Sequence, residues 1–161
     1  MEEFAVLQVL ARYVRAADRR DGSAMAELFT PGGRVQLLYN NAGVPELVGE
    51  LVGREAIAAA VTHMMKPHPE RGWSHHTTHD PIVTINGNRA EIDAQFIVYN
   101  VVGAERPAGG WPKGTSGAQG TVTPIESGYY LPRLIRVDGR WLIETHGIVL
   151  DLPIPMPAPE N

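Results

Sequence analysis

The stretch from Ile82 to Leu150 limits the fold more than any other part of the chain, because outside residues 103–121 it reads as strand. Ala90, Ile92, Ala94, Phe96 and Val98 alternate with Arg89, Glu91, Asp93 and Gln95. That is the pattern of a strand with one face in a core and the other in water. Asn86-Gly87 and Asp138-Gly139 are hairpin-turn signals, and residues 122–137 and 140–150 read as further strands. Such strands need a cover for their apolar face. Residues 4–20 supply one, since Val6, Leu7, Leu10, Val14 and Ala17 recur at helical spacing. A short helix at about 23–29, a turn at 30–33, a strand pair at 34–39 and 47–52, and a helix from Gly53 that Pro67 stops come between. Three helices followed by a long meander of strands give an α+β class.

The chain has 161 residues, 43% of them hydrophobic and 20% charged, enough for one domain with a real core. Residues 1–150 read as that single domain. The proline-rich tail, 151–161, cannot join a sheet interior. A formal charge of −4 offers no basic footprint for nucleic acid, and no apolar run is long enough to span a bilayer. The opening Met1-Glu2-Glu3-Phe4 has neither part of a secretory signal. With no cysteine the chain is compatible with a reducing cytoplasm and has no thiolate nucleophile or thiolate metal site.

Polar groups that fall on apolar positions are the candidates for chemistry. Asp18 continues the row Leu10, Val14 in steps of four, which places a carboxylate at the edge of the apolar face near a helix C-terminus. Burial and the helix dipole both disfavour it there. Either it turns outward to Arg15 or Arg19, or it points into a cavity and meets a cation. Asp21 suits the cap of the next helix. Three of the six histidines, His75, His76 and His79, fall in Trp73-Ser-His-His-Thr-Thr-His-Asp-Pro81, and imidazole titrates nearest working pH. Strand alternation sends His75 and His76 to opposite faces, which argues against a zinc site. Asn100 falls on the apolar parity, so it either faces a cavity or sits at a frayed strand end. Residues 103–121, rich in glycine and proline, read as a long loop whose Trp111 could serve a lid or a dimer contact.

The segment Arg12-Tyr-Val-Arg-Ala-Ala-Asp-Arg-Arg-Asp21, the phrase Leu28-Phe-Thr-Pro-Gly-Gly33 and the ending Arg136-Val-Asp-Gly-Arg-Trp141 occur in an order that resembles the SnoaL-like branch of the nuclear transport factor 2-like superfamily. The likeness spans about residues 4–150. It implies a cone-shaped, strongly curved antiparallel or mixed sheet wrapped around N-terminal helices, a cystatin-like α+β barrel. Within the superfamily the chain is similar to scytalone dehydratase, bile acid dehydratase and hexachlorocyclohexane dehydrochlorinase. That resemblance implies a catalytic histidine–aspartate pair at His76 and Asp18, with Tyr13 and Asn100 as further catalytic candidates. His79 completes an H-x-x-H spacing seen in the bile acid enzyme. Two tyrosines and a histidine of the scytalone enzyme fall here at Ala17, Leu37 and near Asn100, which argues against scytalone as the substrate.

The expected cone is lined by Leu37, Ile92, Phe96 and Val98, with Trp111, Tyr130 and His79 as further substrate contacts. Such a site suits an apolar, cyclic, hydroxylated or carbonyl small molecule. Proton transfer by His76 would make the protein a lyase of the dehydratase type, or an isomerase or cyclase, without metal or organic cofactor. The rival is a non-catalytic small-molecule binding or scaffolding protein on the same fold. A homodimer through the exposed sheet face is the usual assembly of the superfamily.

Overall fold

The computed structural model describes residues 1–154, so most of the expected proline-rich tail lies outside the described residues. The chain begins with helix α1 (Glu2–Arg19) and the short α2 (Gly22–Ala26). Strands β1 (Phe29–Asn41) and β2 (Val44–Val52) follow, then α3 (Arg54–Ala59), which runs into a π-helical turn at Ala60–Met64. The rest is β: β3 (Gly72–Asn86), β4 (Arg89–Gly103), β5 (Gly120–Val137) and β6 (Arg140–Leu150). One six-stranded sheet holds them in the order β2-β1-β6-β5-β4-β3. Only β1 and β6 pair in parallel, so the sheet is mixed.

The strands are too long to lie flat. At about 3.3 Å per residue β5 alone would reach about 60 Å, well beyond the roughly 40 Å across a domain of this size. Register shifts within β1, at His79/Ile82, at Val98/Tyr99 and at Arg133/Leu134 break the ladders. Bulges of this kind bend a strand and increase its twist, and they let the sheet curl into a concave face. Across that face run rows such as Leu37–Ile148–Tyr130–Ala94 and Val35–His146–Pro132. The alternation in β4 is as its sequence predicts: Ala90, Ile92, Ala94, Phe96 and Val98 are all buried.

Helix α1 fills the concavity with Val6, Val9, Leu10, Tyr13 and Val14, each large apolar side chain contributing about 1.5–3 kcal/mol by burial. Glu2 and Glu3 suit its N-terminal end, and Arg20 closes it in the left-handed conformation, φ 56°, with its N–H on the carbonyls of Ala16 and Ala17. Asp21 caps α2 through Ala24 N–H at 2.9 Å. The Asp138-Gly139 turn has positive φ at both residues, as a type I′ hairpin requires. One expectation fails locally. Residues 30–33 belong to an irregular stretch of β1, where Gly53 N–H on Gly33 O holds them beside the start of α3. The histidine segment is already strand, because β3 begins at Gly72 and pairs with the far end of β4.

Candidate active site

Asp18 lies where the C-terminal turn of α1 meets the open edge of the sheet. β3 is an edge strand, so alternate backbone N–H groups on its outer side lack a strand partner. The Asp18 carboxylate takes one of them: Oδ1 accepts from the backbone N–H of His76 at 2.9 Å. The same oxygen stands 2.7 Å from His76 Nδ1. An ionised carboxylate only accepts, so Nδ1 carries the proton and Nε2 is left with its lone pair. Asp18 is 6% exposed, and the row Leu10, Val14, Asp18 is buried along its length. The inward reading of Asp18 therefore holds, and the outward pairing with Arg15 or Arg19 does not. His75 approaches the other carboxylate oxygen at 3.8 Å but is half exposed.

A second imidazole braces this corner. His68 Nδ1 accepts the backbone N–H of Ser74 at 3.0 Å, so its proton sits on Nε2 and donates to the Asp18 carbonyl at 2.8 Å. Burial, then the nearby Arg20 guanidinium, lowers the His68 pKa, which favours the neutral ring these two bonds need. Its ring stacks on Trp73 with centroids 4.0 Å apart. The buried Ser74 hydroxyl donates to Asn100 Oδ1 at 3.0 Å. Asn100 thus faces the interior, one inner position beyond the His76 row, and is held by Ser74.

Deeper in the concavity the rings pack on one another. Tyr13 meets His146 at 4.3 Å and Tyr130 at 5.6 Å between centroids, and Phe96 stacks on Tyr130 at 4.1 Å. Burial pushes the phenols of Tyr13 and Tyr130 well above the usual tyrosine range, so both stay protonated. His146 is fully buried, and neither ring nitrogen finds a partner among the described residues. Burial drives its pKa down to about 3. It is a neutral ring in a hydrophobic setting.

The expected contacts sort as follows. Phe96, Val98 and Tyr130 are buried on the inner face, and Leu37 is half-buried on the Tyr130 row. His79 is a correction: its row, His79–Gln95–Tyr129, lies on the outer face, and its ring pairs with Asp80 at 3.1 Å. The bulge that follows does not turn it inward. Trp111 is 41% exposed on the loop beyond Gly103. Two surface clefts, of about 420 and 570 Å³, lie away from the pair; one contains Arg34, Arg89 and Arg133 and the other Arg12, Arg15 and Arg19. The pair itself sits near the rim, with the His76 side chain 11% exposed. Among the described residues no group of three or more histidines and carboxylates is placed to hold a metal ion.

The sequence reading missed His68, Ser74, Glu126 and His146. The parity argument that singled out Asn100 applies equally to His146, which alternates with Ile148 and Leu150. Counting back by twos from Tyr130 reaches Glu126, although Pro124 and the bulge hide the strand there. His68 carried no signal, since a loop residue's partner is set by the fold.

Residues 2–146 match the SnoaL-like domain. The chain belongs to the SnoaL-like family. As a SnoaL-like domain it shares its fold with proteins of low identity. One is an NTF2-like protein with a cystatin-like fold from Novosphingobium aromaticivorans: TM-score 0.63, 19% identity, 92% of this chain and 80% of that one. A presumed scytalone dehydratase from the same organism has TM-score 0.63 at 14% identity, over 94% of this chain and 85% of that one. The beta subunit of a presumed aromatic-ring-hydroxylating dioxygenase, also from that organism, has TM-score 0.66 at 16% identity, over 93% and 89%. No curated protein matches the sequence. Among the described residues no helix of this SnoaL-like domain is long and apolar enough to cross a membrane.

Proposed function

We propose that this SnoaL-like protein is a cofactor-independent lyase of the dehydratase type, or an isomerase or cyclase, in which His76 moves a proton at carbon. The observation that carries the reading is the 2.7 Å contact between Asp18 Oδ1 and His76 Nδ1 on a largely buried pair. The carboxylate holds the ring in the tautomer whose Nε2 can accept a proton, and it stabilises the imidazolium that results. The backbone N–H of His76 on the same oxygen fixes the carboxylate in turn. A substrate carbon next to a carbonyl gives its proton to Nε2. Return of that proton to another carbon is isomerisation; its delivery to a departing hydroxyl is dehydration. A base so placed contributes about a hundred- to ten-thousand-fold in rate.

The inner surface beside the pair is Phe96 and Val98, with Thr78 on the Phe96 row, which suits an apolar cyclic body with few polar groups. The outer face exposes Trp73, Ile82, Val122, Ile125 and Tyr129, and a second copy of the chain is the partner proposed there. The test is a screen of cyclic hydroxyketones and enones for turnover, followed by His76→Ala. Turnover should fall at least about a hundredfold while the fold, read by circular dichroism, stays intact. Near wild-type turnover in His76→Ala refutes the base. Ligands that bind without turnover in any member of the screen favour the alternative, a non-catalytic binding domain.

A further inference from the structure

One inner row of the sheet carries a second ionisable group opposite His76. The register pairs His76 with Val98 across β3 and β4, and Val98 with Glu126 across β4 and β5. Residues directly opposite in antiparallel strands put their side chains on the same face. His76, Val98 and Glu126 therefore project from one face, two strand spacings, about 9.5 Å, from end to end. Val98 is 4% exposed and forms an apolar floor between them. Glu126 lies in the inner series Tyr130, Gly128, Glu126, and it is half-buried at the bulge where β5 departs from regular pairing.

We propose that Glu126 is a second catalytic residue of this site, handing a proton to the departing hydroxyl while His76 removes one from carbon. This rests on the reading of His76 as the base. The step balances. A C–H bond breaks and its proton goes to His76 Nε2; its electron pair becomes the C=C bond. The C–O bond breaks, and the oxygen takes the Glu126 proton and leaves as water. The protein is left with an imidazolium and a carboxylate, and proton transfer between them, directly or through solvent, restores the starting state.

The surroundings shift this carboxyl toward its protonated form. Burial raises the Glu126 pKa, and the opposing pull of His76 is the smaller influence. The groups facing Glu126 are His76 on β3 and the phenols of Tyr13 on α1 and Tyr130 on β5, none of them a fixed cation. Facing His76 are Asp18 on α1, His75 on its own strand, His68 and Glu126. Once the reaction has charged both, imidazolium and carboxylate attract one another, which suits the ion-pair state left after water departs.

The test uses two probes that differ only in the leaving group, 3-hydroxycyclohexanone and 3-(4-nitrophenoxy)cyclohexanone, with the full chain. Loss of nitrophenoxide needs no acid; loss of hydroxide does. Glu126→Gln should slow elimination from the hydroxy ketone about a hundredfold or more and change the nitrophenoxy reaction less than about threefold. His76→Ala should abolish both. Equal losses on the two probes in Glu126→Gln, or no loss on either, overturn the proposal and leave His76 as base. If the wild type turns over neither probe, base-initiated elimination of simple cyclic ketones fails, and Glu126 is judged by carbon NMR titration. Its carboxyl should then titrate above the ordinary glutamate range. An ordinary Glu126 midpoint refutes the inference.

Discussion

His146 should make this protein sensitive to mild acid. The ring is fully buried without a hydrogen-bond partner among the described residues, and burial takes its pKa from 6.5 to about 3. The unfolded chain binds a proton at this histidine below pH 6.5, whereas the folded chain does so only near pH 3. Protons therefore favour the unfolded state in this window. Stability from His146 is fully present above pH 6.5 and is lost as pH falls toward 3. Each pH unit inside the window costs about 1.36 kcal/mol, so the loss between pH 7 and pH 5 is about 2 kcal/mol, and the total near pH 3 is about 5 kcal/mol. For a domain whose whole stability is of order 5–15 kcal/mol that is a large share. The assay is urea unfolding at pH 7 and pH 5 for the wild type, His146→Phe and His146→Leu. His68 shifts in the same direction but is common to all three, so it drops out of the difference. The wild type should lose about 2 kcal/mol more than either variant, with equal urea slopes. At pH 7 the apolar replacements should be neutral or stabilising, since they remove two unsatisfied nitrogens. Equal acid losses in all three proteins would refute a neutral, buried His146.

Two further outcomes are expected. Asp18→Asn keeps an acceptor for the His76 backbone N–H, so the chain should still fold, with a loss of about 1–3 kcal/mol by denaturation, while turnover on any substrate found falls about a hundredfold or more; unchanged turnover would remove Asp18 from the mechanism. Gly128→Ala would put a Cβ 1.8 Å from the Val149 carbonyl oxygen on β6, which as backbone cannot rotate aside, and should cost about 3 kcal/mol or more; a melting temperature within about 2 °C of wild type would show that β5 and β6 separate more easily than their packing implies.

The sequence by itself determined the elements and what each could bury. Period two in β4, helical spacing in α1, the Asp138-Gly139 turn and the Asp21 cap are all local, and each stands in the structure where the chain predicts it. Asp18 was legible for the same reason, since a carboxylate on an apolar row must find a partner. The pairing of Asp18 with His76 was legible only through family likeness, because the two are 58 residues apart. Tertiary structure decided the rest. A bulge sets where a strand bends, and the sheet order sets which edge is open, so Asp18 at the end of α1 meets the free N–H of His76 on β3. His68 became a brace because the end of α1 and the start of β3 meet beside it. Glu126 came opposite His76 because two registers, each fixed by a different hairpin or loop, place both against Val98. Local sequence specifies which face a residue prefers. Only the assembled sheet specifies which residues, distant in the chain, share that face at the same height.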